Sequence, residues 1–171
     1  MIAVAELLTH VLVAYVIATA SSLRYPWITP PYVTMAMIGA MFPDLNRIGL
    51  FLPEWTVEAI LGVPFSWGAT HTGGGSLVIV TIGALLVPAR IRWRVFAMLL
   101  LGMVSHHALD LLLWFPSGYA YPALWPLTSH ALPAGNLYLS TDRWPAVLAA
   151  AVAALVWYVV RRREAPEGRG A

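Results

Sequence analysis

The sequence predicts an all-α integral membrane protein, a bundle of about five transmembrane or half-transmembrane helices with one interfacial helix. Of its 171 residues, 60% are hydrophobic and only 11% are charged, whereas soluble domains carry about 25% charged residues. Long apolar runs alternate with short breaks rich in proline, glycine and arginine. We therefore expect one membrane-embedded helical domain over residues 1–163, followed by a disordered polar tail over residues 164–171.

The N-terminal half is expected to contain one full span, one short segment and one surface helix. Residues 2–23 form the first span, which lacks a basic start and a clear cleavage site and is therefore interpreted as retained. Residues 32–42 are apolar but short, so that they form either a half-span or part of a longer helix. Residues 48–64 combine an apolar and a polar face, which is typical of an interfacial helix lying over the bundle.

The C-terminal half is expected to contain three further spans. The first follows three glycines, residues 73–75, and ends near Pro88. Those glycines either expose N–H groups to an anion or allow a close approach of helices. The apolar run over residues 93–115 is long enough to cross a bilayer as a helix. A long loop over residues 116–144 precedes the last span, residues 145–160, which three consecutive arginines end.

Two polar residues inside the 93–115 run are the first candidates for a site. His106 and Asp110 are four residues apart, so that both project from one face of the helix. A carboxylate in a membrane helix costs about 2.5–3.5 kcal/mol, which favours a functional role. An imidazole and a carboxylate one turn apart can bind a divalent metal ion; the alternative is a structural hydrogen bond between helices. Because the chain has no cysteine, any metal site must use histidine and carboxylate ligands.

The first span repeats this spacing with Glu6 and His10. Glu6 is expected either to accept the second N–H of a metal-bound His10 or to be an interfacial charge, and His10 to be a ligand or a packing residue. His107 lies about 100° round the helix from His106. It is a candidate second ligand or proton shuttle, with packing as the alternative.

The arginines predict an orientation for the bundle. Because basic flanks favour the cytoplasm, placing residues 161–163 inside and alternating along the chain puts eight arginines inside and only Arg47 and Arg143 outside. This topology requires residues 32–42 to cross. It also places the polar candidates in one outer layer, with His10 about 12 Å and His106 about 13 Å below the outer face. The predicted site therefore faces the outside of the plasma or inner membrane.

The order and spacing of these motifs resemble the family of membrane-bound, metal-dependent hydrolases described as inner-membrane-associated, LexA-binding hydrolases. That family has a histidine in its first helix, a Pro-Asp-x-Asp break, a Thr-His-Ser element, a Ser-His-x-x-x-Asp helix and a Trp-Pro-Leu/Phe turn. The matching positions here are His10, residues 43–46, residues 70–72, residues 105–110 and residues 125–127. Two positions differ: Asn46 replaces the second acid and offers an uncharged oxygen, and Thr72 replaces serine and keeps the hydroxyl.

Pattern and resemblance together predict a divalent metal ion, with zinc as the expected ion. The predicted metal ligands are His10, Asp44, His71, His106 and Asp110. The predicted catalytic groups, which would move a proton, are His71, His107 and Glu6. For Asp44 and His71 the structural alternatives are a turn residue and a capping or loop histidine.

The function expected from these residues is metal-dependent hydrolysis at the extracytoplasmic membrane interface, on a lipid or phosphoester. Membrane lipids and a small-molecule or lipid substrate are the expected partners, and no nucleic acid is expected because the net charge of +2 comes from clustered arginines. The alternatives are a transporter or ion pathway, since intramembrane His and Asp also mark such routes, and a non-catalytic membrane scaffold.

Overall fold

The computed structural model describes residues 4–164, and the regular elements of this part are helices joined by loops, the longest of them over residues 111–143. Besides helices it contains only two isolated β-bridges, Leu113 with Tyr138 and Tyr119 with Pro133. The predicted all-α class is therefore confirmed. In chain order the elements are α1 (Val4–Ser22), α2 (Pro30–Gly39), a first 3₁₀-helix (Pro43–Leu50), α3 (Glu54–Leu61), a second 3₁₀-helix (Trp67–His71), α4 (Gly73–Leu85), α5 (Ala89–Asp110) and α6 (Trp144–Glu164).

Membrane-spanning character is clear for one of these helices. Among the described residues, Trp144–Arg163 is the helical segment long and apolar enough to cross a bilayer, while Glu6–Ser22 and Gly73–Leu85 are shorter apolar segments. Insertion of the whole bundle stays a prediction. The predicted tail begins one residue too early, because Glu164 belongs to α6, and its remaining residues lie outside the described part.

The predicted helix over residues 93–115 is displaced towards the N-terminus. It begins at Ala89, directly after Pro88, and ends at Asp110. The helix ends early because the long loop provides other partners for the next carbonyl groups. The backbone N–H groups of Gly135, Leu137 and Asn136 donate to the carbonyl oxygens of Leu111, Leu112 and Leu113 at 2.7, 2.8 and 3.3 Å.

The surface segment predicted over residues 48–64 is divided between two elements. Residues 48–50 continue the first 3₁₀-helix, and α3 covers only Glu54–Leu61. Gly62 ends α3 in the left-handed conformation with φ of 68°. The polar face of α3 is used internally, since Glu54 accepts the Trp67 N–H at 2.7 Å and Glu58 accepts the Phe65 N–H at 3.0 Å.

Two glycines allow α2 and α5 to pack at backbone contact. A Cβ at Gly102 would overlap the carbonyl oxygen of Ala36, and a Cβ at Gly39 would overlap that of Leu99. This close approach brings the carbonyl group after α2, that of Ala40, to within 2.7 Å of the His106 ring. α5 also packs against α1 and α4, while α6 packs against α1. The centre of the fold is therefore α5, covered by three helices.

Two arginines of the predicted inner set, Arg94 and Arg161, lie at the end of the bundle away from His10. Arg94 lies over the Trp27 ring at 5.7 Å, and Arg161 lines a cavity of about 380 Å³ with Ser22 and other residues of α1 and α2. Ser22 is twelve residues after His10, which is about 18 Å along a helix. The α2 segment begins at this arginine-rich end, and its ten residues cover about 15 Å, so that a complete crossing by this segment stays a prediction.

Candidate metal centre

Asp110 is the point at which three histidines from three different elements meet. Its Oδ1 lies 2.9 Å from Nε2 of His10 on α1, and its Oδ2 lies 2.7 Å from Nε2 of His71 on the second 3₁₀-helix and 3.2 Å from Nε2 of His106 on α5. His10 and His106 are each only 1% exposed, and Asp110 is 3% exposed. The i,i+4 spacing on α5 thus places His106 and Asp110 together, as the sequence predicts, and tertiary packing adds the other two rings.

Each of the three imidazoles is oriented by a backbone carbonyl group on its other nitrogen. Because a carbonyl oxygen only accepts, Nδ1 of each neutral ring carries the proton and Nε2 keeps its lone pair. Such a carbonyl partner is typical of metal-binding histidines. The acceptors are the carbonyl oxygens of Glu6, Pro43 and Ala40, at 2.7, 3.1 and 2.7 Å from Nδ1 of His10, His71 and His106 respectively.

The fit of this cluster to a cation is visible in the atoms that lack partners. Among the described residues, Nε2 of His106 and Oδ2 of Asp44 are buried without a hydrogen-bond partner. Three unprotonated nitrogens around one carboxylate repel one another unless a proton or a cation lies between them. Ligands of a tetrahedral ion with bonds of about 2.0–2.1 Å are about 3.3 Å apart; His106 Nε2 lies 3.2 Å from Asp110 Oδ2, whereas the Nε2 atoms of His10 and His71 lie closer to the carboxylate, at 2.9 and 2.7 Å.

All five predicted ligands belong to two overlapping groups. One contains His10, His106 and Asp110, and the other contains Asp44, His71 and His106. Within each group the ligand atoms lie within 4.8 Å of one another. The structure therefore brings the five side chains into positions from which they can hold a metal ion.

The charges around the cluster balance a divalent ion. Glu6, Asp44 and Asp110 contribute three negative charges, and Arg47 contributes one positive charge. With three neutral imidazoles, two negative charges remain uncompensated, which matches one divalent cation. Arg47 donates from Nε to Asp44 Oδ1 at 3.1 Å and from Nη2 to Glu6 Oε2 at 3.3 Å.

Glu6 has a different contact from the predicted one. Of the two alternatives for Glu6, the acceptor role towards His10 falls to its backbone carbonyl and not to its carboxylate, because the i,i+4 geometry of α1 places that carbonyl oxygen beside Nδ1. The carboxylate instead pairs with Arg47. Glu6 is therefore near the cluster as a charge on the cavity wall, without direct contact to the imidazole.

His107 points away from the cluster and belongs to a separate hydrogen-bond chain. Its Nε2 lies 3.1 Å from Ser76 Oγ, and its Nδ1 lies 2.7 Å from the Tyr121 hydroxyl. Ser76 gives its own proton to the Thr70 carbonyl at 2.6 Å, so that it accepts from Nε2–H of His107. Tyr121 then donates to Nδ1. Neither group of potential ligands found among the described residues contains His107, and proton transfer stays its predicted role.

Tyr121, in the long loop after α5, is a further member of the site that the sequence motifs do not identify. Its hydroxyl lies 3.5 Å from Asp110 Oδ2, and burial together with the negative charge of Asp110 raises the pKa of this phenol well above its ordinary value. For the same reasons the pKa of Tyr138 rises to about 12. Burial would lower the pKa of His71, but the hydrogen bond and charge of Asp110 outweigh burial and raise it.

The loop containing Tyr121 is held over the site by the start of α4. The Gly73 and Gly74 N–H groups donate to the carbonyl oxygens of Ala123 and Trp125 at 2.8 Å each, and the Gly75 N–H donates to Thr72 Oγ1 at 3.2 Å. These N–H groups are therefore used within the protein. Of the two alternatives for the glycines, close approach describes the structure, and the anion site does not.

A cavity of about 310 Å³ gives access to the cluster from one side. It exposes Asp44, His71 and Asp110, whereas His10 and His106 are enclosed behind them. The lining residues are Glu6, Asp44, Asn46, Arg47, His71, Asp110, Leu113, Phe115 and Tyr121. A ligand in this cavity would contact three of the five predicted ligands directly.

Comparisons with known proteins give one match. The family described as YdjM inner membrane protein matches residues 6–167, which is nearly the whole chain. No curated protein and no solved structure is significantly similar to the chain. The membrane association expected from composition is thereby supported independently.

Proposed function

The chain belongs to the YdjM inner membrane protein family, and on the basis of its site we propose that it is an integral membrane, metal-dependent hydrolase of a lipid or phosphoester. One observation carries the proposal: His10, His71 and His106 each turn Nε2 towards Asp110 while a backbone carbonyl group holds Nδ1–H. A purely structural hydrogen bond between helices does not require the Nε2 atoms of three histidines to face one carboxylate.

The residues that would hold the ion are drawn from the five members of the cluster, which form two overlapping groups of three. Imidazole and carboxylate ligands suit zinc among the common divalent ions. Bound there, a zinc ion would lower the pKa of its water towards about 7 and polarise a phosphoryl or acyl oxygen. The protein contributes the orientation of the ligands, through the carbonyl groups at Nδ1, and the enclosure of His10 and His106 from solvent.

Proton transfer is assigned to groups on the cavity wall. The Tyr121 hydroxyl lines the cavity and donates to Nδ1 of His107, so that a proton taken up at the Tyr121 oxygen has an exit to that nitrogen. The Glu6 carboxylate lines the same cavity. His71 is better placed as a ligand, since its Nε2 is 2.7 Å from Asp110.

Membrane insertion of the bundle, with the site facing outwards, is part of the proposal. Large apolar side chains are exposed along α4 and α6, for example Val78 (58%), Ile82 (52%) and Val147 (68%). The arginine-rich end, which favours the cytoplasm, is opposite the cluster. The cavity would then open near the outer membrane–water interface, where a lipid can enter.

The test is the metal content of the full chain purified in a mild detergent. We expect about one equivalent of a divalent metal in the wild type, a loss of it in His106→Ala, and retention in His130→Ala, which changes an exposed loop histidine. Hydrolysis of phospholipid by the loaded protein, followed by ³¹P NMR, then tests the reaction. A wild-type protein that neither carries nor takes up zinc would exclude the hydrolase and favour the scaffold.

A further inference from the structure

The two arginines predicted on the outer side differ in their surroundings. Arg143 is exposed at the protein surface. Arg47 lines the cavity beside the cluster, with 29% of its side chain exposed. It uses Nε for Asp44 and Nη2 for Glu6. A guanidinium group has five N–H donors, so that three of them remain for a ligand in the cavity.

A guanidinium at this position is unfavourable for a site that holds only a cation. It lies within hydrogen-bond distance of Asp44, a predicted ligand, and like charges a few ångströms apart repel each other. The charges of the three carboxylates, a divalent ion and Arg47 add up to zero. Without Arg47, the three carboxylates and the ion would have a total charge of one negative unit. A neutral site that exposes both a cation and a guanidinium is suited to an anion as its third component.

The walls of the cavity indicate the kind of anion. Its lining combines the polar groups of the cluster with the apolar side chains of Leu113 and Phe115. A volume of about 310 Å³ takes a group much larger than a water molecule, whose share of liquid volume is about 30 Å³. The planar fork of an arginine matches the oxygens of a phosphoryl group. The cavity thus combines an oxyanion contact with an apolar wall.

We propose that this cavity binds the phosphoryl oxyanion of the substrate, with Arg47 as the residue that recognises it, next to the metal centre. The inference rests on the proposed function, since it takes the cation to be present. The phosphoryl group can belong to a lipid headgroup or to free phosphate, and the apolar wall fits the lipid. Because cation and anion each reduce the charge that the other meets, their affinities are coupled, and the coupling is reciprocal.

The experiment uses the full chain in maltoside detergent, loaded with one equivalent of zinc and freed of excess. Binding of inorganic phosphate is measured by isothermal titration for the wild type, Arg47→Met and Arg143→Met. We expect Arg47→Met to retain zinc and to bind phosphate about 10- to 100-fold more weakly, the range for a lost hydrogen bond to a charged group. Arg143→Met, the matched control, should bind phosphate as the wild type does.

A second measurement needs no variant and therefore stands even if Arg47→Met misfolds. The zinc affinity of the wild type is determined with and without phosphate, and phosphate should tighten it. Equal zinc affinities, or equal phosphate affinities of the wild type and zinc-retaining Arg47→Met, would overturn the inference. A wild type that holds zinc but not phosphate contradicts the inference alone, whereas one that holds no zinc contradicts the proposed function.

Two further ligands identify the source of the phosphoryl group. Dihexanoyl phosphatidic acid that binds more tightly than inorganic phosphate would support a lipid headgroup. Equal or weaker binding would support free phosphate at the same site. Hexanoate has a chain and a carboxylate but no phosphorus, and if it bound as tightly as phosphatidic acid, the assignment to a phosphoryl group would be wrong.

Discussion

The imidazole rings of His10 and His106 are stacked, with their centroids 4.0 Å apart and their planes inclined by 28°. The rings come from α1 and α5, and both present Nε2 to the same carboxylate, that of Asp110. The arrangement needs the backbone contact between α2 and α5, since the carbonyl group of Ala40 holds His106. The predictions below follow from this geometry.

The substitution Asp110→Asn separates a metal centre from a structural hydrogen-bond network. Asparagine keeps the shape but loses the charge, and its NH₂ group can donate to the Nε2 lone pairs. We expect loss of bound zinc, with a melting temperature of the metal-free protein that is unchanged or higher. Differential scanning fluorimetry of chelator-treated samples measures this. A melting temperature many degrees lower in Asp110→Asn, with no zinc in the wild type, would support the scaffold instead.

Two adjacent histidines provide a matched pair. His106→Gln should lose zinc, because Nε2 of His106 belongs to both groups of ligand atoms. His107→Gln should keep zinc, because His107 bonds to Ser76 and Tyr121 instead. In His107→Gln, Ser76 and Tyr121 lose a buried hydrogen bond, so that we expect the free energy of unfolding to fall by about 1–3 kcal/mol. Metal analysis and thermal unfolding of both variants check this, and zinc loss in His107→Gln but not in His106→Gln would contradict the assignment of His106 as the ligand.

Removal of the metal should lower the apparent melting temperature. At a free zinc concentration of 100 times Kd, binding stabilises the folded state by about 2.7 kcal/mol, which corresponds to roughly 5–10 °C for a chain of this size. The shift is measured by scanning with chelator and with added zinc. His106→Ala serves as the control and should show no shift on addition of zinc.

Acid should affect the zinc-loaded and metal-free proteins in opposite directions. Zinc binding requires neutral imidazoles, so that protons compete with zinc for the ring nitrogens. An ordinary imidazole has a pKa of about 6.5, and Asp110 raises the pKa of His71. Protons therefore compete with zinc at His71 at a higher pH than they would at an ordinary imidazole. In the metal-free protein this raised pKa contributes stability below about pH 6.5, and that stability is lost as the pH rises through the folded pKa. Melting curves with and without zinc between pH 5 and 8, about the range of histidine titration, measure both trends. Parallel trends would contradict the account.

Gly102 tests the packing that positions His106. In Gly102→Ala the new methyl group meets the carbonyl oxygen of Ala36, so that α2 must move away from α5 at a cost of about 1–3 kcal/mol. The Ala40 carbonyl then loses its place beside His106, and zinc affinity should fall as well. In the control Gly68→Ala, the Cβ would meet only Ser66 Oγ at 3.4 Å, and both stability and zinc binding should be close to the wild type.

Local spacing, arginine topology and the family resemblance led to the five predicted ligands, and the structure brings their side chains close together. Helix periodicity pairs His106 with Asp110, and charge bias places Asp44 and His71 at the same predicted level. Neither the helix spacing nor the arginine distribution predicts how the loop over residues 116–144 packs on the bundle. Consequently the end of α5 at Asp110 and the position of Tyr121 were missed. Arg47 was visible as one of two outer arginines, but its pairing with Glu6 depends on contacts between elements distant in sequence.

The most direct test of the metal centre is X-ray absorption at the zinc edge of the loaded full chain. The account predicts a first shell of nitrogen and oxygen at about 2.0–2.2 Å, with the outer-shell scattering of three imidazole rings, which falls to two rings in His10→Ala. A first shell of water oxygens without imidazole scattering, or a spectrum unchanged in His10→Ala, would contradict it.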